Sequence, residues 1–259
     1  MVRSILKIVI FILFSFILIF SLALLDKFIN LGLTKDMYNS FVTPFLLMVY
    51  FIFVYTSFRK DFLIRFILTR ELYKVICYPI FLSLFLVFVI NASRFVPLYY
   101  GGEIIGVGSK QGTDFNELST VGKFLLVSLF TGFTEEVAFR YLAFGGLFLF
   151  LNQLVAPLPH HHKSGSKPPF KVIEFLIELR EKLFFKKNKY YLFSWLLLTS
   201  SIFAFAHGPD ITNFHLYFLP GFAFGWCFIR YGFLAAWICH ASFNALSWPA
   251  LIIIYSLLL

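Results

Sequence analysis

Apolar residues run along this chain in long unbroken stretches, not in the narrow stripes of a helix lying on a soluble core. Stretches at about 5–25, 38–57, 76–97, 121–151, 190–207, 213–229 and 232–247 are near the roughly 20 residues that carry a helix through a bilayer. A last apolar stretch, 248–259, contains Pro249 and is either a short eighth segment or a continuation of the seventh. The short alternating segments of a membrane β-barrel are absent. The pattern predicts an all-α fold, a polytopic transmembrane helical bundle with 7–8 spans and a water-filled polar cavity in the membrane. Residues 1–259 form one integral membrane domain, with N-terminal spans in 5–97, a motif-bearing core in 121–247 and a hydrophilic loop in 152–189.

The connections differ in character. From Asp26 to Met37 the charges balance. Arg59-Lys60-Asp61 opens a segment reaching Lys74, where Phe62, Ile64, Phe66, Ile67 and Leu68 interleave with Arg65, Arg70 and Glu71. A short helix in the interface and an ordinary basic loop both fit this segment. Tyr99 to Thr120 holds Gly101, Gly102, Gly106, Gly108 and Gly112 without the phosphate-binding G-x-x-x-x-G-K-[ST] pattern, and is read as an irregular connector. The 152–189 loop is broken by Pro157, Pro159, Pro168 and Pro169. From Phe170 to Phe185, Val172, Phe175, Leu176, Leu179 and Leu183 oppose Lys171, Glu174, Glu178, Arg180 and Lys182, which predicts a surface helix.

Composition agrees, with 60% hydrophobic and 14% charged residues where a soluble domain carries about a quarter charged. The net charge of +9 belongs to topology, not to a nucleic-acid surface. Basic residues gather at the start, in 59–74, in 163–189 and at Arg230, on alternate sides of successive spans. The N-terminus and the 152–189 loop are therefore expected in the cytoplasm, with membrane lipid around the spans and no nucleic-acid partner. In a bacterial host the membrane would be the plasma membrane. The run from Ile8 to Leu25 follows Arg3 and Lys7 but has no cleavage pattern, so it reads as a retained signal-anchor. Cys77, Cys227 and Cys239 lie in apolar stretches and read as inert buried thiols. His160-His161-His162 cannot all face one site on a helix, and no functional metal is assigned to them.

Against this background a few polar residues stand out. Glu135, Glu136 and Arg140 sit within apolar 121–151, where each charge costs at least about 2.5 kcal/mol. Residues four apart share a helix face, so Glu136 can pair with Arg140. Glu135 is turned about 100° away by the helical repeat and must find its partner on another helix. His207 ends the motif Phe203-x-x-x-His207, and His240 and Asn244 share a face within the seventh span. A spare carboxylate, two histidines and an asparagine on three spans can enclose one water molecule. The glutamate could take the water's proton. A histidine holds the water or a metal in line, and His240 with Asn244 faces the oxyanion formed when water adds to a carbonyl. That is peptide hydrolysis within the membrane.

Glu135-Glu136-x-x-x-Arg140, Phe203-x-x-x-His207 and His240-x-x-x-Asn244, ordered on separate spans across about 131–247, resemble the CPBP family. This family takes in the type II CAAX prenyl endopeptidases and the bacterial Abi proteins linked to bacteriocin self-immunity. The resemblance implies an intramembrane endopeptidase, a hydrolase, acting on a peptide or lipidated protein. It makes Glu135 the general base, His207 the residue that binds and activates water, and His240 with Asn244 the oxyanion stabilisers. Glu136 and Arg140 would support the site. Members are named metalloproteases, so a divalent metal, zinc first, is the implied cofactor, with His207 and Glu135 as its ligands. A non-catalytic immunity or scaffold protein is the alternative, in which the polar groups only pack helices. A transporter with a midplane carboxylate is a third, but no internal repeat supports it. The topology puts His207 at the outer end of its span and Glu135 near the middle of its own, while the family's pocket opens to the cytosol. Convergence requires a fifth helix that is short, kinked or shifted.

Overall fold

In lipid a backbone must satisfy its own polar groups, and helices do so within one segment. The computed structural model describes residues 2–106, 118–155 and 171–258, and among these there are helices and no strand. The described elements are α1 (Val2–Ile29), α2 (Lys35–Val54), α3 (Thr56–Phe66), α4 (Leu72–Tyr100) and α5 (Thr120–Val155). They continue as α6 (Lys171–Arg180), α7 (Lys189–Ala206), α8 (Phe214–Tyr231) and α9 (Phe233–Leu258). Among the described residues five helices, α1, α2, α4, α5 and most of α9, are long and apolar enough to cross a membrane.

Several expectations are sharpened, and one is corrected: Cys227 and Cys239 are buried, but Cys77, at the start of an apolar span, is exposed. The C-terminal stretch is not a separate helix, since α9 runs unbroken through Pro249. The basic 59–74 segment becomes α3 and the first turn of α4, and α3 buries Asp61 and Phe62 while Leu63 and Ile64 stay exposed. The surface helix of 170–185 is present as α6, prolonged by a widened turn over Glu181–Phe185 that buries Leu183. There Lys182 hydrogen-bonds Glu178 and holds its carboxyl below the usual range. Gly108, Gly112, Pro157, Pro159, Pro168, Pro169 and the run His160-His161-His162 lie outside the described residues.

Helix starts carry their own signals. The side chains of Thr34, Ser119 and Asn188 accept from the backbone N–H of Met37, Gly122 and Tyr190. These are the N-cap bonds such residues make, each worth about 1 kcal/mol. Between α8 and α9 the chain turns on Gly232 alone, at φ 102°. A Cβ there would stand 2.7 Å from Arg65 O and 2.9 Å from Phe66 O, both backbone atoms. Only glycine allows that conformation and that approach together. Beside it, Leu68 N–H donates to Tyr231 O at 3.0 Å, tying the α3–α4 link to the end of α8.

The core is aromatic and centred on α5. Phe133 and Tyr141 are buried with Phe62, Phe203, Phe224 and Phe233 from four other helices. Their rings meet edge to face, as in Phe62–Tyr141 at 5.0 Å and Phe133–Phe233 at 5.3 Å, the arrangement that ring quadrupoles favour. Helix α5 itself is uneven. Two stretches of widened turns, Phe124–Thr131 and Val137–Gly146, flank the regular segment Gly132–Glu136. Carbonyls of the first stretch accept side-chain bonds, Leu129 O from Trp237 Nε1 at 2.9 Å and Val127 O from Asn244 Nδ2 at 3.2 Å. Polar groups of α9 thus fasten it to α5.

Candidate active site

The regular segment of α5 carries Glu135 and Glu136 on diverging faces. Glu136 is fully buried, and Arg140, one turn on, is almost so. Arg140 Nη1 lies 3.5 Å from Glu136 Oε1 and Nη2 donates to Gly221 O at 2.9 Å. Its guanidinium stacks over Phe203 at 4.3 Å. The cation therefore joins α5, α7 and α8.

Glu136 does more than pair with Arg140. Its Oε1 accepts a hydrogen bond from His240 Nδ1 at 2.8 Å, a shorter contact than the one to the guanidinium. Phe224 stacks on the His240 ring at 4.3 Å. With Nδ1–H committed to a carboxylate and the ring clamped from one face, Nε2 of His240 points to Glu135 Oε2, 3.6 Å away. From α7, His207 Nε2 approaches the same oxygen at 3.8 Å. The other ring nitrogen of His207 meets Phe203 O at 2.8 Å, and a carbonyl only accepts, so Nδ1 carries the hydrogen. Tyr217 stacks on His207 at 4.8 Å.

Glu135, Glu136, Arg140, His207 and His240 are thus brought together. Asn244 is one turn beyond His240, and its amide donates to the backbone of α5 at Val127 O instead of to these side chains. Exposure divides the group. The Glu135 and His207 side chains keep 19% and 25% of their surface, while His240 keeps 4% and Glu136 none. The first two can be reached, and the others lie behind them.

The short α7 explains how His207 meets a residue in the middle of α5. Its 18 residues rise about 27 Å from the 152–189 side. Glu135 lies no more than about 30 Å from the Val155 end of α5 at the same rise, so the two stand at one level. The 36 residues of α5 reach well past the shorter helix. No kink in α7 is needed.

As metal ligands the group is thin. Among the described residues no three His, Cys, Asp or Glu side chains are grouped so as to share an ion. One carboxylate oxygen and two imidazole nitrogens at 3.6 and 3.8 Å from it are spaced for a bridging water.

Several contacts escaped the sequence reading: the Glu136–His240 bond, the rings of Phe224 and Tyr217 on the two histidines, and Gly221 O beneath Arg140. One signal was present. Gly221 and Gly225 are four apart in an apolar run, the small-residue spacing that lets helices approach closely. In the structure a Cβ on Gly221 would lie 2.8 Å from Phe203 Cδ1, so α8 is drawn against α7 there.

Comparison with known families matches residues 117–246, from α5 to about the middle of α9, to the description "Type II CAAX prenyl endopeptidase Rce1-like". No curated protein and no solved structure matches the chain. The matched half contains every side chain of the cluster around Glu135. The chain belongs to this Rce1-like family of CAAX-type intramembrane endopeptidases and is an integral membrane protein.

Proposed function

We propose that the chain hydrolyses a peptide bond near the C-terminus of a prenylated, membrane-tethered substrate, using water activated by Glu135. The observation that carries this is the approach of two imidazole Nε2 atoms, from α7 and α9, to one oxygen of a carboxylate that is itself partly exposed. Gaps of 3.6 and 3.8 Å are too long for direct hydrogen bonds and suit one water between the groups. His207, protonated at Nδ1, accepts one hydrogen of that water at Nε2, and Glu135 accepts the other. As the water oxygen bonds to the substrate carbonyl carbon, its proton passes to Glu135. The oxyanion is met by the ring of His240, which Glu136 holds in place at Nδ1. The C–N bond then breaks, and Glu135 returns the proton to the leaving amine. Asn244 keeps α9 in register through Val127 O and has a second amide hydrogen to offer the oxyanion.

Among the described residues no three-ligand set for a metal is formed, so no step uses one. The spans complete a bundle of seven in our reading, with α7 and α8 crossing beside the five longer helices around a polar cavity at Glu135. The basic connections then put the N-terminus and α6 in the cytoplasm.

The test is Glu135→Gln in the purified protein, with a farnesylated peptide as substrate. Removing a general base lowers kcat by about 10²–10⁴-fold, while the thermal midpoint should stay close to that of the parent, since Glu135 makes no short hydrogen bond. Cleavage at the parent rate by this variant would end the reading.

A further inference from the structure

Along one outer face of α7 and α8, five phenylalanine rings follow one another. Phe205 of α7 lies 5.3 Å from Phe214 of α8, which stacks on Phe218 at 5.4 Å. Phe218 is 6.4 Å from Phe222, and Phe222 is 6.0 Å from Phe193, back on α7. Phe193 and Phe205 are exposed and the other three are partly so. The helical repeat makes the file, because residues 214, 218 and 222 are four apart and share a face. From Phe205 to Phe193 it is about 18 Å long at the helical rise, against about 15 Å for the hydrocarbon of one leaflet. That is the length of one acyl chain.

The file ends on cations. Because α7 and α8 run antiparallel, Lys189, one turn before Phe193, stands level with Trp226, one turn after Phe222, and Arg230 follows one turn on. Lys189 Nζ lies 5.1 Å from the Tyr190 ring centre and the Arg230 guanidinium 5.6 Å from that of Trp226, and all four side chains are exposed. A ring holds a cation in place without neutralising it. Among the described residues neither cation has a carboxylate within ion-pair distance, whereas Arg65, Lys74, Arg180 and Lys182 at the same end each have one. Residues 156–170 contain no Asp or Glu. Asp114 and Glu117 follow Gly106, whose carbonyl bonds Asn213 at the opposite end of α8. That end is about 26 Å along the helix from Arg230. Lys186 and Lys187, exposed in the turn before Lys189, add to the positive field. The counter-charge is left for the membrane to supply.

We propose that this face of α7 and α8 binds one anionic phospholipid, with an acyl chain along the phenylalanine file and the phosphate between Lys189 and Arg230. A headgroup of net negative charge is selected over a zwitterionic one, whose own cation already balances its phosphate. The proposal rests on the crossing of the bilayer by α7 and α8 and is independent of the hydrolytic reading. The test uses full-length protein in phosphatidylcholine nanodiscs, into which brominated-chain phosphatidylglycerol or brominated-chain phosphatidylcholine is titrated. Bromine quenches a tryptophan it touches, and the Trp226 signal is the difference between the parent and Trp226→Phe. Half-maximal quenching should need a mole fraction at least about fivefold lower for phosphatidylglycerol. The preference should vanish in Lys189→Gln/Arg230→Gln and persist in Arg59→Gln/Lys60→Gln, which removes the same charge elsewhere at this end. Equal quenching of the parent by the two lipids would overturn the proposal, whichever variants fold. A preference that survives Lys189→Gln/Arg230→Gln, or that falls as much in Arg59→Gln/Lys60→Gln, would also overturn it, the first by placing the site elsewhere and the second by showing diffuse charge. No quenching of Trp226 by either lipid would overturn it together with the crossing of α8.

Discussion

At the residue scale, the two adjacent glutamates show how one backbone step separates two environments. Glu136 is sealed and shared between Arg140 and His240, while Glu135 is partly exposed beside two imidazoles. Arg140 has no comparable freedom. Its removal leaves Glu136 a buried charge without its cation, a change that costs about 3–5 kcal/mol, and also frees Gly221 O. Arg140→Ala should therefore lower the denaturation midpoint and activity together, as followed by thermal melting beside the peptide assay. Stability held while activity is lost would show that Arg140 acts on the reaction and not on the fold. The spacing of Glu136 and Arg140 already announced their pairing. The bond from Glu136 to His240 was not legible, because it joins residues 104 positions apart and depends on how α9 is rotated against α5.

At the element scale, α5 and α9 depart from what periodicity alone describes. The widened turns of α5 present carbonyls sideways, and Trp237 and Asn244 bond to them. Asn244 shares a face with His240, and one of its amide hydrogens goes to the backbone of α5 across the helix interface. Gly232 is the element-scale hinge on which α9 is placed. Gly232→Ala forces a side chain into a positive-φ position and against the Arg65 and Phe66 carbonyls. The expected cost is at least about 1–3 kcal/mol. A lower melting temperature and loss of detergent-stable monodisperse protein on gel filtration would report it. An unaltered melt would mean that the α3–α4 link moves aside freely.

For the whole molecule, the proposed orientation can be tested. With seven crossings from a cytoplasmic N-terminus, as proposed, the C-terminal end of α9 would lie on the opposite side. A cysteine placed at Ser256, in a background lacking Cys77, Cys227 and Cys239, should react with a membrane-impermeant maleimide on intact cells. One placed at Glu174 in α6 should react only after the cells are opened. The reverse pattern would invert the topology, and reaction of both from one side would remove a crossing.

The apolar runs by themselves determined that the chain is helical and membrane-embedded, because only segments that satisfy their own backbone can hold so much apolar surface in lipid. The spacing of Glu135, Glu136 and Arg140, and of His240 and Asn244, followed from the helical repeat and needed no tertiary knowledge. Which groups meet across helices was decided by the tertiary structure. Rotation, level and tilt of packed helices depend on contacts such as Gly221 on Phe203 and Gly232 on the α3–α4 link, and these join distant residues. The convergence of His207 and His240 on Glu135 belongs to that second class.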